Sequence, residues 1–106
     1  MKRAIIVQVR MQKDKKTNDD IIWVTSAIMP SKSEKGDVFY PLSKNTLVTT
    51  CANALRSPDK YNEFKKLRIG DLIDIHYDLN EYKQQLYVSK LELVKQSSYK
   101  EEELIV

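Results

Sequence analysis

Apolar and polar residues alternate with a period of two in long segments near both ends of the chain. In residues 4–12, four apolar side chains fall on one side and three polar ones on the other: Ile5, Val7, Val9 and Met11 against Gln8, Arg10 and Gln12. Successive side chains of a strand point to opposite faces, so this pattern predicts a strand with one buried and one solvated face. Residues 72–77 and 85–94 show the same alternation around the polar turn 78–84, which predicts a hairpin.

Two further strands are predicted between these ends. Residues 21–29 are rich in β-branched and aromatic side chains, which favours a strand. The short segment 38–42 is predicted to be a third strand, and Pro41 indicates an edge strand or a strand end because proline cannot donate to a ladder. In the last strand the apolar phase shifts near Ser89, which predicts a β-bulge or a barrel corner.

The middle of the chain changes to a helical period. Asn45 or Ser43 is predicted to cap a helix that runs to about Arg56, with a packed apolar stripe of Leu47, Val48, Cys51, Ala54 and Leu55. Ser57 and Pro58 then begin a second, short helix. Its apolar face consists of Tyr61, Phe64 and Leu67.

The predicted element order is β-β-β-α-β-β, with the helical segment between strands three and four. This is the connectivity of the five-stranded OB barrel, so we predict a mainly β, OB-like barrel. An open α+β sheet with one helical layer is the alternative, because element order alone does not prove closure. We expect one OB-like domain at residues 1–95 and a flexible acidic–hydrophobic tail at 96–106.

Composition excludes several classes of protein. At 106 residues the chain is long enough for one domain, and its single Cys51 cannot form an internal disulfide. No apolar run approaches the roughly 18 residues of a membrane-spanning helix, and the apolar start lacks a small-residue cleavage site. We therefore expect a cytoplasmic protein.

Residues for catalysis or metal binding are scarce. The chain has one histidine, His76, and two glycines, Gly36 and Gly70, so it cannot build a histidine-based site or a glycine-rich phosphate loop. His76 is predicted to be a surface residue on the strand face opposite Ile73 and Ile75. We predict no enzyme activity, no cofactor and no metal.

Basic and aromatic residues occur where an OB fold binds single strands. The first 45 residues carry nine Lys or Arg against five Asp or Glu, within a net charge of +3. Proteins that bind single strands combine cations along the phosphates with aromatic rings that stack on bases. The candidates are Arg10, Lys13, Lys15, Lys16, Trp23, Lys32, Lys35, Phe39, Tyr40, Tyr82 and Lys83.

Structural roles for these residues are the alternative. Trp23 and Phe39 could belong to the core, and the lysines at 13–16 could form only a solvated hairpin tip. Tyr82 has polar neighbours and is predicted to be exposed.

The end of the chain has three acids followed by three apolar residues: Glu101, Glu102, Glu103, Leu104, Ile105 and Val106. Such a segment can dock into a basic, apolar-floored pocket of a partner protein. It can also fold back onto a basic groove, or its apolar residues can complete an edge strand.

Residues 63–75, a helix end followed by Gly70-Asp71 and an alternating strand, resemble the entry to the fourth strand in bacterial and phage single-stranded DNA-binding proteins of the OB class. The strand 86–94 resembles their closing strand, and the acidic–hydrophobic end resembles the tip that recruits replication and repair enzymes. The long linker before that tip, and the usual glycines of strands one and two, are missing here.

The resemblance implies sequence-tolerant binding of single-stranded DNA, or of RNA, by a homo-oligomer. The process would be replication, recombination or conjugative transfer of a phage, plasmid or other mobile element. The alternative function is a non-enzymatic protein–protein interaction module, an accessory or inhibitor protein that uses the β surface or the tail.

Overall fold

The computed structural model describes residues 2–29, 31–32, 36, 38–39 and 47–97, with the backbone alone at 31–32 and 38–39. Its elements are β1 (Lys2–Lys13), β2 (Asp20–Ile28), β3 (Ser31–Lys32), β4 (Val38–Phe39), β5 (Leu47–Asn53), α1 (Pro58–Phe64), β6 (Leu72–Asn80) and β7 (Gln85–Lys95). The protein is mainly β, as predicted. No helix among the described residues is long and apolar enough to cross a membrane.

Five antiparallel strands form one sheet in the order β5-β2-β1-β6-β7, and β3 pairs with β4 in a separate ladder. The central strand β1 pairs with β2 from Ala4 to Lys13 and with β6 from Lys2 to Ile5. In chain order α1 therefore lies between the third and fourth strands of the sheet, as predicted. Within the described residues the edge strands β5 and β7 do not pair, so the sheet is open between them, at what we call the seam.

The predicted helix from residue 43 or 45 to Arg56 is wrong, because Leu47–Asn53 is the third strand of the sheet. Its residues pair with β2 from Ala27–Leu47 to Ile21–Asn53. The Asn53 carboxamide oxygen then accepts hydrogen bonds from the N–H groups of Leu55 (2.8 Å) and Arg56 (3.1 Å), which turns the chain before α1.

The predicted apolar stripe is consequently not a packed face. Leu47 and Leu55 are exposed, and so is Cys51, which the sequence predicted to be packed. The predicted third strand at 38–42 is replaced by β4, which pairs with β3 and not with the main sheet. Residues 40–42 lie outside the described part of the chain.

Bulges change which side chains face the core. The β1–β2 register shifts between Ile6 and Gln8, so Val7 is an extra residue and is exposed. Ala4 and Ile6 are buried in place of the predicted Ile5 and Val7, and Met11 is exposed. The bulge predicted in the last strand is confirmed: the β6–β7 register passes over Ser89.

The short helix begins as predicted, with Pro58 in its first turn after Ser57. Tyr61 and Phe64 of α1, together with Leu67 shortly after the helix, are buried against the sheet and complete the core. α1 packs against β2 and β5. The sheet contributes Ala4, Ile6, Ile22, Val24, Ala52, Ile73, Ile75 and Leu91 to this core. Each large apolar side chain buried in this way stabilises the fold by roughly 1.5–3 kcal/mol.

The turn at Gly70 and Asp71 joins α1, β1 and the end of β7. Gly70 has φ 91°, and its N–H donates to the Ile6 carbonyl at 2.8 Å, while the Ile6 N–H donates to the Asp71 carbonyl at 3.0 Å. The buried Asp71 carboxylate accepts the N–H groups of Arg68 at 2.9 Å and Ser97 at 2.7 Å. A left-handed φ favours glycine, which accounts for Gly70 at this position.

A bidentate ion pair links β1 to β6. Arg3 donates to the Asp74 carboxylate through Nε at 2.6 Å and Nη2 at 3.3 Å. These hydrogen bonds, together with the charge of Arg3, hold the pKa of Asp74 below its ordinary value, although burial acts in the opposite direction. The folded state therefore binds the Asp74 proton more weakly than the unfolded state does.

We expect Asp74→Asn to lower the midpoint of urea unfolding at pH 7, and the difference from the wild type to shrink in acid. A carboxylate whose pKa is lower in the folded state than in the unfolded state stabilises the fold at pH values above its unfolded-state pKa, which is about 3.9 for aspartate. This contribution is lost as the pH falls through the lower pKa of the folded state. Urea titrations of both proteins at pH 7 and near pH 2.5 measure this. An equal difference at both pH values would show that the ion pair is not its source.

Candidate nucleic-acid interface

The solvent-facing side of β1, β2 and β5 carries a short row of polar and aromatic side chains. Ile22, Val24 and Ser26 of β2 are buried, so Trp23 and Thr25 point to the opposite face. The register aligns Arg10, Trp23 and Cys51 across the three strands, and aligns Gln8, Thr25 and Thr49 beside them. We call these six residues the outer face.

Arg10 and Trp23 are in contact at the centre of the outer face. The Arg10 guanidinium carbon lies 5.7 Å from the centroid of the Trp23 ring, which is a cation–π geometry. Trp23 is half-buried and does not belong to the hydrophobic core cluster. Trp23 is therefore not one of the buried core residues, although its Nε1 atom is buried.

An open cleft of about 390 Å³ lies at the seam. Residues 49–51 of β5 and 86–88 of β7 contribute to its lining, together with Trp23, Lys60 and Tyr77. Lys60 Nζ donates to the Val88 carbonyl at 2.9 Å, which ties α1 to β7 at this point. Trp23 Nε1 is buried and has no hydrogen-bond acceptor among the described residues.

The turn between β1 and β2 presents two free cations. Lys15 and Lys16 are exposed and form no ion pair with any other described residue. Lys13 differs, because its Nζ lies 2.7 Å from an Asp20 carboxylate oxygen, and this hydrogen bond raises the pKa of Lys13. The turn begins three residue pairs beyond Arg10–Trp23, about 10 Å along the strand.

The hairpin of β6 and β7 extends beyond Ile75, which pairs with Lys2 and is the last residue of β6 that pairs with β1. Tyr82 and Lys83 lie in its turn, and Tyr82 is fully exposed, as predicted. Leu79 and Leu86 pair across the two strands, and they are 52% and 71% exposed.

The structure brings together only part of the predicted set. Arg10 and Trp23 are in contact, whereas Lys15, Lys16, Tyr82 and Lys83 occupy two hairpin turns. For Lys32 and Phe39 only the backbone, in β3 and β4, is described. Lys35, Tyr40 and the tail residues Glu101–Val106 lie outside the described residues.

The cleft residues Thr49, Cys51, Lys60, Tyr77 and Tyr87 were not predicted as site residues. The cleft could be predicted only if residues 47–53 were recognised as an edge strand, and the sequence pattern had instead predicted a helix there. The available signal was the alternation of Val48, Thr50 and Ala52, whose side chains are more buried than those between them.

His76, predicted to be a surface residue, is partly exposed and lies 3.0 Å from a Glu92 carboxylate oxygen. The described residues contain no group of three His, Cys, Asp or Glu side chains that could hold a metal ion. Comparison with protein-family models, curated proteins and solved structures finds no match to this chain.

Proposed function

We propose that the protein binds single-stranded nucleic acid, chiefly DNA, without strong sequence preference. The observation that carries this proposal is the Arg10–Trp23 pair on the solvent-facing side of the sheet, next to the open seam cleft. Aromatic rings that stack on bases, combined with cations that follow phosphates, are what sequence-tolerant single-strand binding requires. In a duplex the base faces are already stacked, so such a surface favours single strands.

The arrangement of strands supports the same function. OB folds bind oligonucleotides on the face of strands two and three, flanked by the loops after strands one and four. The corresponding parts here are β2 with β5, the turn with Lys15 and Lys16, and the turn with Tyr82 and Lys83. The proposal includes a cytoplasmic homo-oligomer that acts in replication, recombination or transfer of a phage or mobile element.

A fluorescence titration of Trp23, the single tryptophan, tests the proposal. We expect quenching by oligo-dT and oligo-U, little by a duplex of equal length, and an affinity that falls with salt. The logarithmic slope should be about −0.7 for each phosphate contacted. Failure of every nucleic acid to bind at low salt, checked by gel shift in case Trp23 is not quenched, would overturn the proposal.

Charge reversal of the first turn, Lys15→Glu with Lys16→Glu, should weaken binding to all single strands alike. If both lysines contact phosphates, the salt slope becomes shallower by about 1.4, which is 0.7 for each lost contact. Lys65→Glu with Lys66→Glu is a matched control, since it makes the same charge change at the end of α1. Equal losses in the two double variants would mean that net charge, not the turn, is responsible.

A protein-interaction module is the second candidate function. The exposed Leu79–Leu86 pair on the β6–β7 hairpin favours it, because adjacent exposed apolar side chains beside a fully exposed tyrosine are typical of interface anchors. If no nucleic acid binds, the full chain and a chain lacking residues 101–106 become the baits for a partner protein. Loss of capture with Leu79→Ser and Leu86→Ser would then place the partner on the hairpin.

A further inference from the structure

We infer that the seam cleft is a subsite for one unpaired thymine or uracil base, with a carbonyl oxygen of the base accepting the hydrogen bond of Trp23 Nε1. This inference rests on the proposed function and adds a location and a base preference to it. It is carried by two observations: the cleft between the edge strands and the unpartnered indole N–H at its lining.

The indole N–H is a donor that folding leaves unsatisfied. Nε1 of tryptophan can only donate, and here it is buried without an acceptor among the described residues. Nearly all buried polar atoms in native proteins have a partner, and a buried donor without one opposes folding. Trp23 lines the cleft, so a ligand seated there can supply the missing acceptor once a small rotation of the indole ring exposes Nε1.

The other side chains of the cleft also favour a ligand that accepts hydrogen bonds. Lys60 contributes an ammonium group that only donates, and Thr49 and Thr50 contribute hydroxyl groups that can donate. None of the described residues that line the cleft carries a carboxylate or a carboxamide. The acceptors that these side chains offer to a ligand are the neutral hydroxyl groups of the two threonines and two tyrosines of the lining.

This lining distinguishes among the bases. Thymine and uracil carry two carbonyl oxygens, which can accept hydrogen bonds from the cleft, and one N3–H donor, which a threonine hydroxyl can accept. Adenine has no carbonyl and carries an N6 amino group that needs an acceptor. Cytosine likewise carries an amino donor. Donor-rich surroundings should therefore favour thymine and uracil and disfavour adenine.

The size and walls of the cleft suit a planar ring. Its volume of about 390 Å³ lies in the range of small-molecule sites, roughly 300–1,000 Å³. Tyr77, Tyr87 and Leu86 supply aromatic and aliphatic surface for the faces of a ring. The Arg10–Trp23 pair is adjacent, so a strand crossing the outer face can place one base in the cleft.

Alkylation of Cys51 reports on a strand bound at the outer face or in the cleft, and the difference in protection between dT15 and dA15 reports on the cleft. Cys51 is the single cysteine of the chain, is exposed, and lines the cleft. We expect saturating dT15 or U15 to slow its reaction with iodoacetamide by at least about fivefold, and saturating dA15 to slow it less. Whichever of dT15 and U15 slows the alkylation of Cys51 more identifies the natural ligand as DNA or RNA. Saturable binding of dT15 with an unchanged alkylation rate would overturn the inference and leave the proposed function intact.

Trp23→Phe tests the hydrogen bond, since it keeps an aromatic ring and removes the N–H. Affinities are measured by anisotropy of labelled dT15 and dA15. We expect the ratio of dT15 to dA15 affinity to fall about 3- to 10-fold, as for loss of one neutral hydrogen bond, with dA15 affinity changed less than twofold. Leu55→Ala, in the exposed turn after β5, is the control and should leave this ratio unchanged.

The outcomes separate the two proposals. An unchanged dT15 to dA15 ratio in Trp23→Phe overturns the base-specific subsite alone. Absence of binding to any single strand by the wild type overturns the proposed function, and the inference with it. Should Trp23→Phe fail to fold, the difference in Cys51 protection between dT15 and dA15 in the wild type still tests the base preference, and equal protection by the two would overturn the inference.

Discussion

Replacement of Phe64 by alanine lowers the free energy of unfolding by about 3–5 kcal/mol. Phe64 is the last residue of α1 and is completely buried, and its ring lies 5.6 Å from Lys60 Nζ. The substitution leaves a cavity where a seven-residue helix packs on the sheet, and so short a helix depends on that packing. Since a domain is stable by only about 5–15 kcal/mol, the variant should lose a large part of its stability.

Urea unfolding followed by circular dichroism measures this loss, with Tyr82→Ala as the control. Tyr82 is fully exposed, so its replacement should change the free energy of unfolding by less than about 0.5 kcal/mol. A loss below about 1 kcal/mol in Phe64→Ala would mean that α1 does not anchor the core.

The helix predicted across residues 47–53 shows where local pattern fails. Leu47, Cys51, Ala54 and Leu55 have helical spacing, but residues 48–50 are a valine and two threonines, which also fit a strand. Long-range pairing with β2 decides between the two, and a local window of sequence does not contain that partner. The later helix, marked by Ser57 and Pro58, was predicted correctly because its start signal is local.

The two bulges differ in how visible they are in the sequence. At Ser89 a polar residue interrupts the apolar alternation, so the change of phase could be predicted. At Val7 the run 4–7 is apolar throughout, and either phase of alternation fits it. Which side chains of β1 face the core therefore became clear only from the pairing of β1 with β2.

The candidate site was predicted as a list of residues and not as an arrangement. Residue types alone indicated Arg10 and Trp23, because cations and aromatic rings suit single strands. Their contact depends on the register after the Val7 bulge, which aligns Arg10 with Trp23. The seam cleft was missed because it exists only between two edge strands, and one of them had been assigned to a helix.

Trp23→Ala should weaken binding of single strands by about 5- to 150-fold, the loss expected when one base–aromatic stack is removed. Trp23 lies at the centre of the outer face and borders the seam cleft, so its ring is the largest aromatic surface available there. Anisotropy of a labelled oligonucleotide at fixed salt measures the loss. Leu55→Ala is the control, because Leu55 is exposed in the turn after β5 and is not part of the outer face.

A double-mutant cycle with Arg10→Ala determines whether the pair acts as one unit. The Arg10 guanidinium lies over the Trp23 ring, so each residue holds the other in position for a passing strand. Residues in contact usually show coupling, and we expect the double variant to lose less affinity than the product of the two single losses. Fully independent losses would mean that Arg10 contacts phosphate without positioning Trp23. If neither single variant changes affinity, the strand does not cross the outer face, and the hairpin turns with Lys15, Lys16, Tyr82 and Lys83 become the binding surface to test.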